Sequence, residues 1–274
     1  MDEPLGAVVS DQDGGLTQEQ GLLVALALTG ILVLAHLFAS RIRRSLGISQ
    51  AAVVSLAGGI SVAYVFLHLL PEVAAGGGPI GATLEGLIAP TRLHELAAFA
   101  VALIGFTVFY GLERLAERSR GGIGDEAESS TRSFTVHVGA FALYNGAITY
   151  TLPLRVATDV LGAALFTIAI GVHVLVVDRG LAAHYPRRFR AIGRFVLAGA
   201  LVVGWSVAAL AVPTSTLTIS LLTAWVAGSV LLTVFKEELP AARKSRFGWF
   251  LIGLAGYSTV LILLAIVTPV HLGD

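Results

Sequence analysis

Long apolar stretches alternate with short polar ones along nearly the whole chain. Eight apolar runs can be marked, at about 20–39, 51–70, 95–113, 134–153, 159–178, 192–212, 216–235 and 248–270. A bilayer core of ~30 Å is crossed by ~20 helical residues rising ~1.5 Å each. The pattern therefore predicts an all-α polytopic membrane protein with eight transmembrane helices in one domain, residues 20–270. Residues 1–19 are predicted to form an extracytoplasmic tail. The polar breaks are short except for 116–133, "AERSRGGIGDEAESSTRS", whose glycine, serine and charge predict a flexible cytoplasmic loop.

Charge orients these spans, because lysine and arginine in short loops stay cytoplasmic. The break after the first run holds Arg41, Arg43 and Arg44, and that after the third holds Arg114, Arg118, Arg120 and Arg132. After the fifth come Arg179, Arg187, Arg188, Arg190 and Arg194; after the seventh, Lys236, Arg243, Lys244 and Arg246. Sixteen of the eighteen basic residues thus fall on one side, leaving Arg92 and Arg155 on the other. A wrong count of spans would scramble this alternation. Both termini are expected outside, in the plasma membrane.

Composition narrows the function. The 274 residues are 55% hydrophobic and 13% charged, with a mean hydropathy of +0.83. A typical soluble domain is about 25% charged, so this chain lacks the polar surface to cover itself in water, and its first partner is the lipid bilayer. The net charge of zero gives no general attraction to nucleic acid, and the absence of cysteine excludes disulfides, thiolate metal sites and iron–sulfur clusters. The acidic opening "MDEPLGAVVSDQDGG" has no basic n-region, so no cleaved signal peptide is expected. No nucleophile–base motif or HExxH is present, so no enzyme is expected. Both lysines lie at the junction of runs seven and eight, which disfavours a retinal protein.

The second run closes in "FLHLLPE", the third, "FAVALIGFTVFYGLERLAER", has an acidic end, and the seventh closes in "KEELP" before the eighth. In order and spacing these strings resemble the ZIP family of divalent-metal transporters. The likeness covers runs two, three, seven and eight well and run six hardly at all. It implies eight helices with both termini outside, helices 1–3 and 6–8 forming an inverted repeat around helices 4–5, and a divalent metal ion as substrate. "HLLPE" and "KEELP" end helices that run in opposite directions, as an inverted repeat requires. Proline often follows a helix stop, so chance is the other reading.

The resemblance also implies where metal binds: a His-Asn-x-x-Glu-Gly run on the fourth helix and a His-x-x-x-Glu-Gly run on the fifth. Residues at i and i+4 share a helix face, so each helix offers one imidazole and one carboxylate. Here the fourth run reads "LYNGAITYTLP". Tyr144 stands in the histidine place, Asn145 keeps the asparagine, and Ile148 stands where the glutamate belongs. In the fifth run, "GVHVLVVDRGLA", His173 keeps the histidine, but its i+4 partner is Val177. Asp178, one residue later, is roughly 140° around the helix from His173. One imidazole and one amide do not compensate a divalent ion for lost hydration. The implied architecture is kept and its metal site is degenerate.

Two replacements remain open. His137, one turn into the fourth span, is level with His173 if spans four and five form a hairpin near Arg155; with Asp178 they can bind a metal or relay protons. Otherwise His137 and Asp178 sit at the interface, solvated or paired with Arg179 or Arg132. Ser61, Tyr64, His68 and Glu72, spaced three, four and four apart, share one face; His68 and Glu72 either form an outer entrance for cations or snorkel to the interface. His36 and His94 are expected at interfaces, and Glu237 and Glu238 in local pairs with Lys236 and Arg243. Two functions follow: divalent-cation transport with an altered site, or a ZIP-shaped membrane protein that no longer transports and acts as sensor, scaffold or partner. Self-association is left open.

Overall fold

Every regular element among the described residues is helical. The computed structural model describes residues 16–45, 47, 49–85, 92–118, 126–211, 215–238 and 246–267. Helix α1 is Gln18–Ser45, and α2 runs from Gln50–Tyr64 through a π-helical turn, Val65–Leu69, into Leu70–Ala75. A short helix, Gly77–Glu85, precedes α3, Arg92–Arg118. Helix α4 is Glu126–Thr158 and α5 is Val160–His184. A single turn at Pro186–Arg188 and a π turn, Phe189–Gly193, lead into α6, Arg194–Leu210. Helix α7, Thr216–Thr233, ends in a π turn, Val234–Glu238, and α8 is Phe247–Val267.

Among the described residues seven helices, all but α4, are long and apolar enough to cross a membrane. The chain is a polytopic, all-helical membrane protein. Helix α4 has length to spare at 33 residues, but His137, Tyr144, Asn145, Thr149, Tyr150 and Thr151 dilute its apolar content. The loop expected over 116–133 is narrower than its composition implied: helix runs to Arg118 and resumes at Glu126, and only 119–125 fall outside the described residues. Of the expected tail, residues 1–15 also lie outside them.

Helix α1 displays the logic of the packing. Ala25, Thr29, Leu32, His36 and Ala39 are buried, whereas Leu23, Ile31, Leu34 and Phe38 are exposed. Large apolar side chains face outward, where lipid would solvate them, and small or polar ones face the neighbouring helices. Helix α2 packs on α8, α3 on α7, and α4 on α6, while α1 lies against α5 and α6. The first two crossings are built alike. A Cβ at Gly59 of α2 would strike the Phe250 carbonyl of α8, and one at Gly253 would strike the Leu56 carbonyl of α2. A Cβ at Gly105 of α3 would strike the Trp225 carbonyl of α7, and one at Gly228 that of Ala102. Each pair of backbones meets through one glycine from either side.

The π turn in α2 begins six residues after Gly59 and precedes Pro71; that in α7 begins six residues after Gly228 and precedes Pro240. Proline lacks an N–H and crowds the carbonyl one turn back. Widening the preceding turn, so that the Leu70 amide reaches the Val65 carbonyl, relieves that crowding without ending the helix.

Candidate functional site

Helix α5 is the most enclosed of the spans together with α7, so side chains on opposite sides of it both meet protein. On one side Asp178 meets α1: its Oδ1 lies 2.9 Å from Nδ1 of His36. On the other, the rings of His173 and Tyr144 of α4 lie 5.7 Å apart. All four residues are buried, with 3% exposure or less.

The other ring nitrogen of His36 completes a chain of three residues. Nε2 lies 2.8 Å from Nδ2 of Asn145, and that same amide nitrogen lies 3.3 Å from the Leu197 carbonyl of α6. Both neighbours of the amide need hydrogens, and only its NH2 group has two to donate. The network therefore fixes the tautomer: Nε2 accepts from Asn145, and Nδ1–H donates to Asp178. In this state the His36–Asp178 pair carries one negative charge, and one further proton makes it neutral. A proton on Nε2 would face a donor, so uptake there requires the Asn145 amide to turn and give up Leu197. Thr149 ties the same helices one turn away, donating to the Leu201 carbonyl at 2.7 Å.

The expected site residues are thus divided. Asn145 and Asp178 come together, but through His36, which corrects the interfacial placement of that histidine. His173 and Tyr144 form a neighbouring ring pair. His137 is elsewhere: its Nδ1 lies 2.8 Å from the Tyr185 hydroxyl, which also bonds Ser133. Ile148 and Val177, at the places where the ZIP resemblance expects glutamates, are buried. Among the described residues no three His, Cys, Asp or Glu side chains converge as metal ligands would.

A cavity lies toward each end of the bundle. His68 and Glu72, expected as an entrance, line one of 240 Å³ together with Arg155, Thr158 and Asp159. Arg155 donates to Glu72 across 2.5 Å. The other cavity, 260 Å³, is lined by Glu113, Glu117, His137, His184 and Lys236. Lys236 bonds Glu113 at 2.8 Å and Glu117 at 3.3 Å; the side chains of Glu237 and Glu238, expected as its local partners, lie outside the description. Both cavities present carboxylates, and Val177, Gly180 and Leu181, the neighbours of Asp178 along α5, line the second.

His36 and Arg155 are the residues that sequence reasoning missed. His36 had a signal: with Thr29 it is one of two polar residues at i and i+7 on the small-residue face of an otherwise apolar helix. Arg155 had a weaker one, as a basic residue on the side where basic residues are rare. Comparison with known protein families finds no matching family model, and comparison with curated proteins finds no match.

Proposed function

We propose that the protein is a proton-dependent cation transporter of ZIP-like plan, in which a protonatable His36–Asp178–Asn145 chain stands in place of the metal ligands of that family. The observation that carries this reading is the fully buried His36–Asp178 pair, joined to Asn145 in a bundle with a carboxylate-lined cavity toward each end. Ionisable groups among membrane helices are costly and are kept where they move charge. Here α4 is the eighth crossing, and the basic ends of α1, α3, α5 and α7 face the cytoplasm.

Three features support the ZIP-like plan. The α2–α8 and α7–α3 crossings exchange under an inverted repeat of helices 1–3 and 6–8, and their paired glycines exchange with them. Gly59, the π turn at Val65 and Pro71 recur at the same spacing as Gly228, Val234 and Pro240. Tyr144 and His173, at the two places where the resemblance expects histidines, are in ring contact. Repeats of this kind hold their sites between the two halves.

The test is purified protein in liposomes with a pH-sensitive dye inside. An imposed Zn²⁺, Cd²⁺ or Mn²⁺ gradient is expected to drive proton movement that His36→Ala and Asp178→Asn abolish while both variants remain folded. A second reading, a ZIP-shaped sensor or scaffold that does not transport, is favoured by the absence of three converging ligands among the described residues. It replaces the first if the native protein moves neither protons nor metal under any of these gradients.

A further inference from the structure

The two cavities are closed by different kinds of ion pair. The Lys236 ammonium is wet, its side chain 40% exposed, and it is shared between Glu113 and Glu117. The Arg155 side chain is only 10% exposed. Its NH1 donates to Glu72 of α2, its Nε to Thr151 of α4 at 3.2 Å, and its NH2 to Thr223 of α7 at 3.4 Å. Its guanidinium carbon lies 4.2 Å from the centre of the Phe166 ring of α5. One planar cation touches α2, α4, α5 and α7 at once.

That contact is incomplete in an informative way. A carboxylate fixed for structure alone commonly takes an arginine with both oxygens. Glu72 uses Oε1, while Oε2 is buried with no hydrogen-bond partner among the described residues. The Tyr64 hydroxyl, also buried, has none either, and its ring packs against those of His68 and Phe166. An arriving cation can therefore engage Oε2 while Arg155 still holds Oε1, and the two can exchange stepwise. Glu72 itself lines the outer cavity.

We infer that Arg155 is a tethered cation that occupies the outer carboxylate in place of a free one, and so decides which cations pass from the outer cavity toward His36 and Asp178. The inference rests on the transporter reading, but its test does not require transport. A free cation must outcompete a charge that is held at its own site and cannot diffuse away. Divalent cations, with twice the charge, gain most from Glu72 and are favoured over monovalent ones. When the guanidinium leaves, the four helices lose their common contact and water reaches the space below.

The chain has no cysteine, so one introduced thiol reports alone. Ile148 is fully buried on α4, about two turns below Arg155 and one turn from Asn145. Ile148→Cys is treated in intact cells with a membrane-impermeant thiol reagent, and again in inside-out vesicles. Labelling from outside is expected to be slow, and at least ~10-fold faster with Arg155→Gln or Glu72→Gln, since 1.4 kcal/mol of lost closure corresponds to a factor of ten. Labelling from inside should be unchanged. Glu72→Gln leaves the guanidinium on Phe166 and Thr223, so it serves if Arg155→Gln does not fold. Equal outside labelling in all backgrounds, or rapid labelling with Arg155 in place, overturns the inference. Faster labelling in a protein that shows no flux keeps the gate and discards the transporter.

Discussion

Replacing His36 by alanine takes away the imidazole whose Nδ1–H meets Asp178, and leaves a carboxylate in a place that is 2% exposed. Breaking a buried pair from one side costs about 3–5 kcal/mol, chiefly for the charge left behind. Asp178→Asn is milder. Its amide oxygen still accepts from Nδ1, so a charge-assisted bond becomes a neutral one at a cost of about 1–2 kcal/mol. The double variant, with no carboxylate to strand, should be less damaged than His36→Ala alone. The three variants and the native protein form a cycle whose expected coupling is about 1–3 kcal/mol, in the sense that Asp178→Asn rescues His36→Ala. Reversible unfolding in mixed detergent micelles, followed by ellipticity, measures it. If the double variant loses the sum of the two singles to within about 0.5 kcal/mol, the residues do not act as a pair and the buried chain has no standing as a site.

Gly59→Ala and Gly228→Ala should each lose about 1–3 kcal/mol or fail to fold, because the new Cβ meets backbone of the facing helix; Gly21→Ala and Gly111→Ala, with open space around them, should stay within about 0.5 kcal/mol by the same assay. Lys236→Ala should cost less than about 1 kcal/mol, since the Lys236 side chain is exposed and its ammonium solvated; a larger loss in the detergent titration would mean that the inner cluster is a structural clamp. Tags placed within 116–133 and 179–191 should be protected from outside reagents in intact cells and a tag at either terminus reached, and labelling of 116–133 from outside would reverse the orientation.

The apolar runs located the helices to within a few residues, because burial in lipid and burial in protein both demand apolar sequence. The ends were less legible: α1 continues to Ser45 and α3 to Arg118, since a helix entering water keeps its backbone bonds after its apolar stretch ends. The site was legible by residue type and not by partner. Asp178 and His173 lie roughly 140° apart on one helix, which tells against the single shared site that His137 was expected to complete with them. A helix enclosed by others has no outer face, so each residue found its own partner, His36 from α1 and Tyr144 from α4. The expected interfacial place of His36 follows from its position near the inner end of the first run, which measures depth, whereas its burial is set by rotation about the helix axis. Arg155 was counted as an exception to the charge rule, and nothing in a count tells that Glu72 and Phe166 wait for it across two other helices.

Helix α4 ties these observations together. Among the described residues it is the one long helix too polar to count as a membrane span by composition, and it carries His137, Tyr144, Asn145, Thr149, Thr151 and Arg155. These residues do not face one direction, so they are not a polar stripe turned toward water. Asn145 reaches α1 and α6, Thr149 reaches α6, Arg155 reaches α2, α5 and α7, and His137 reaches the residue that follows α5. A helix bonded to so many neighbours is fixed in rotation: Leu143 faces outward, 60% exposed, while Tyr144, Asn145, Ile148, Thr149 and Thr151 are buried against other helices. The polarity of α4 is what a helix acquires when most of its middle is enclosed by others. On the transporter reading, a proton taken up at His36 turns Asn145 off Leu197 and breaks one of the bonds between α4 and α6, while Thr149 still holds Leu201 one turn away.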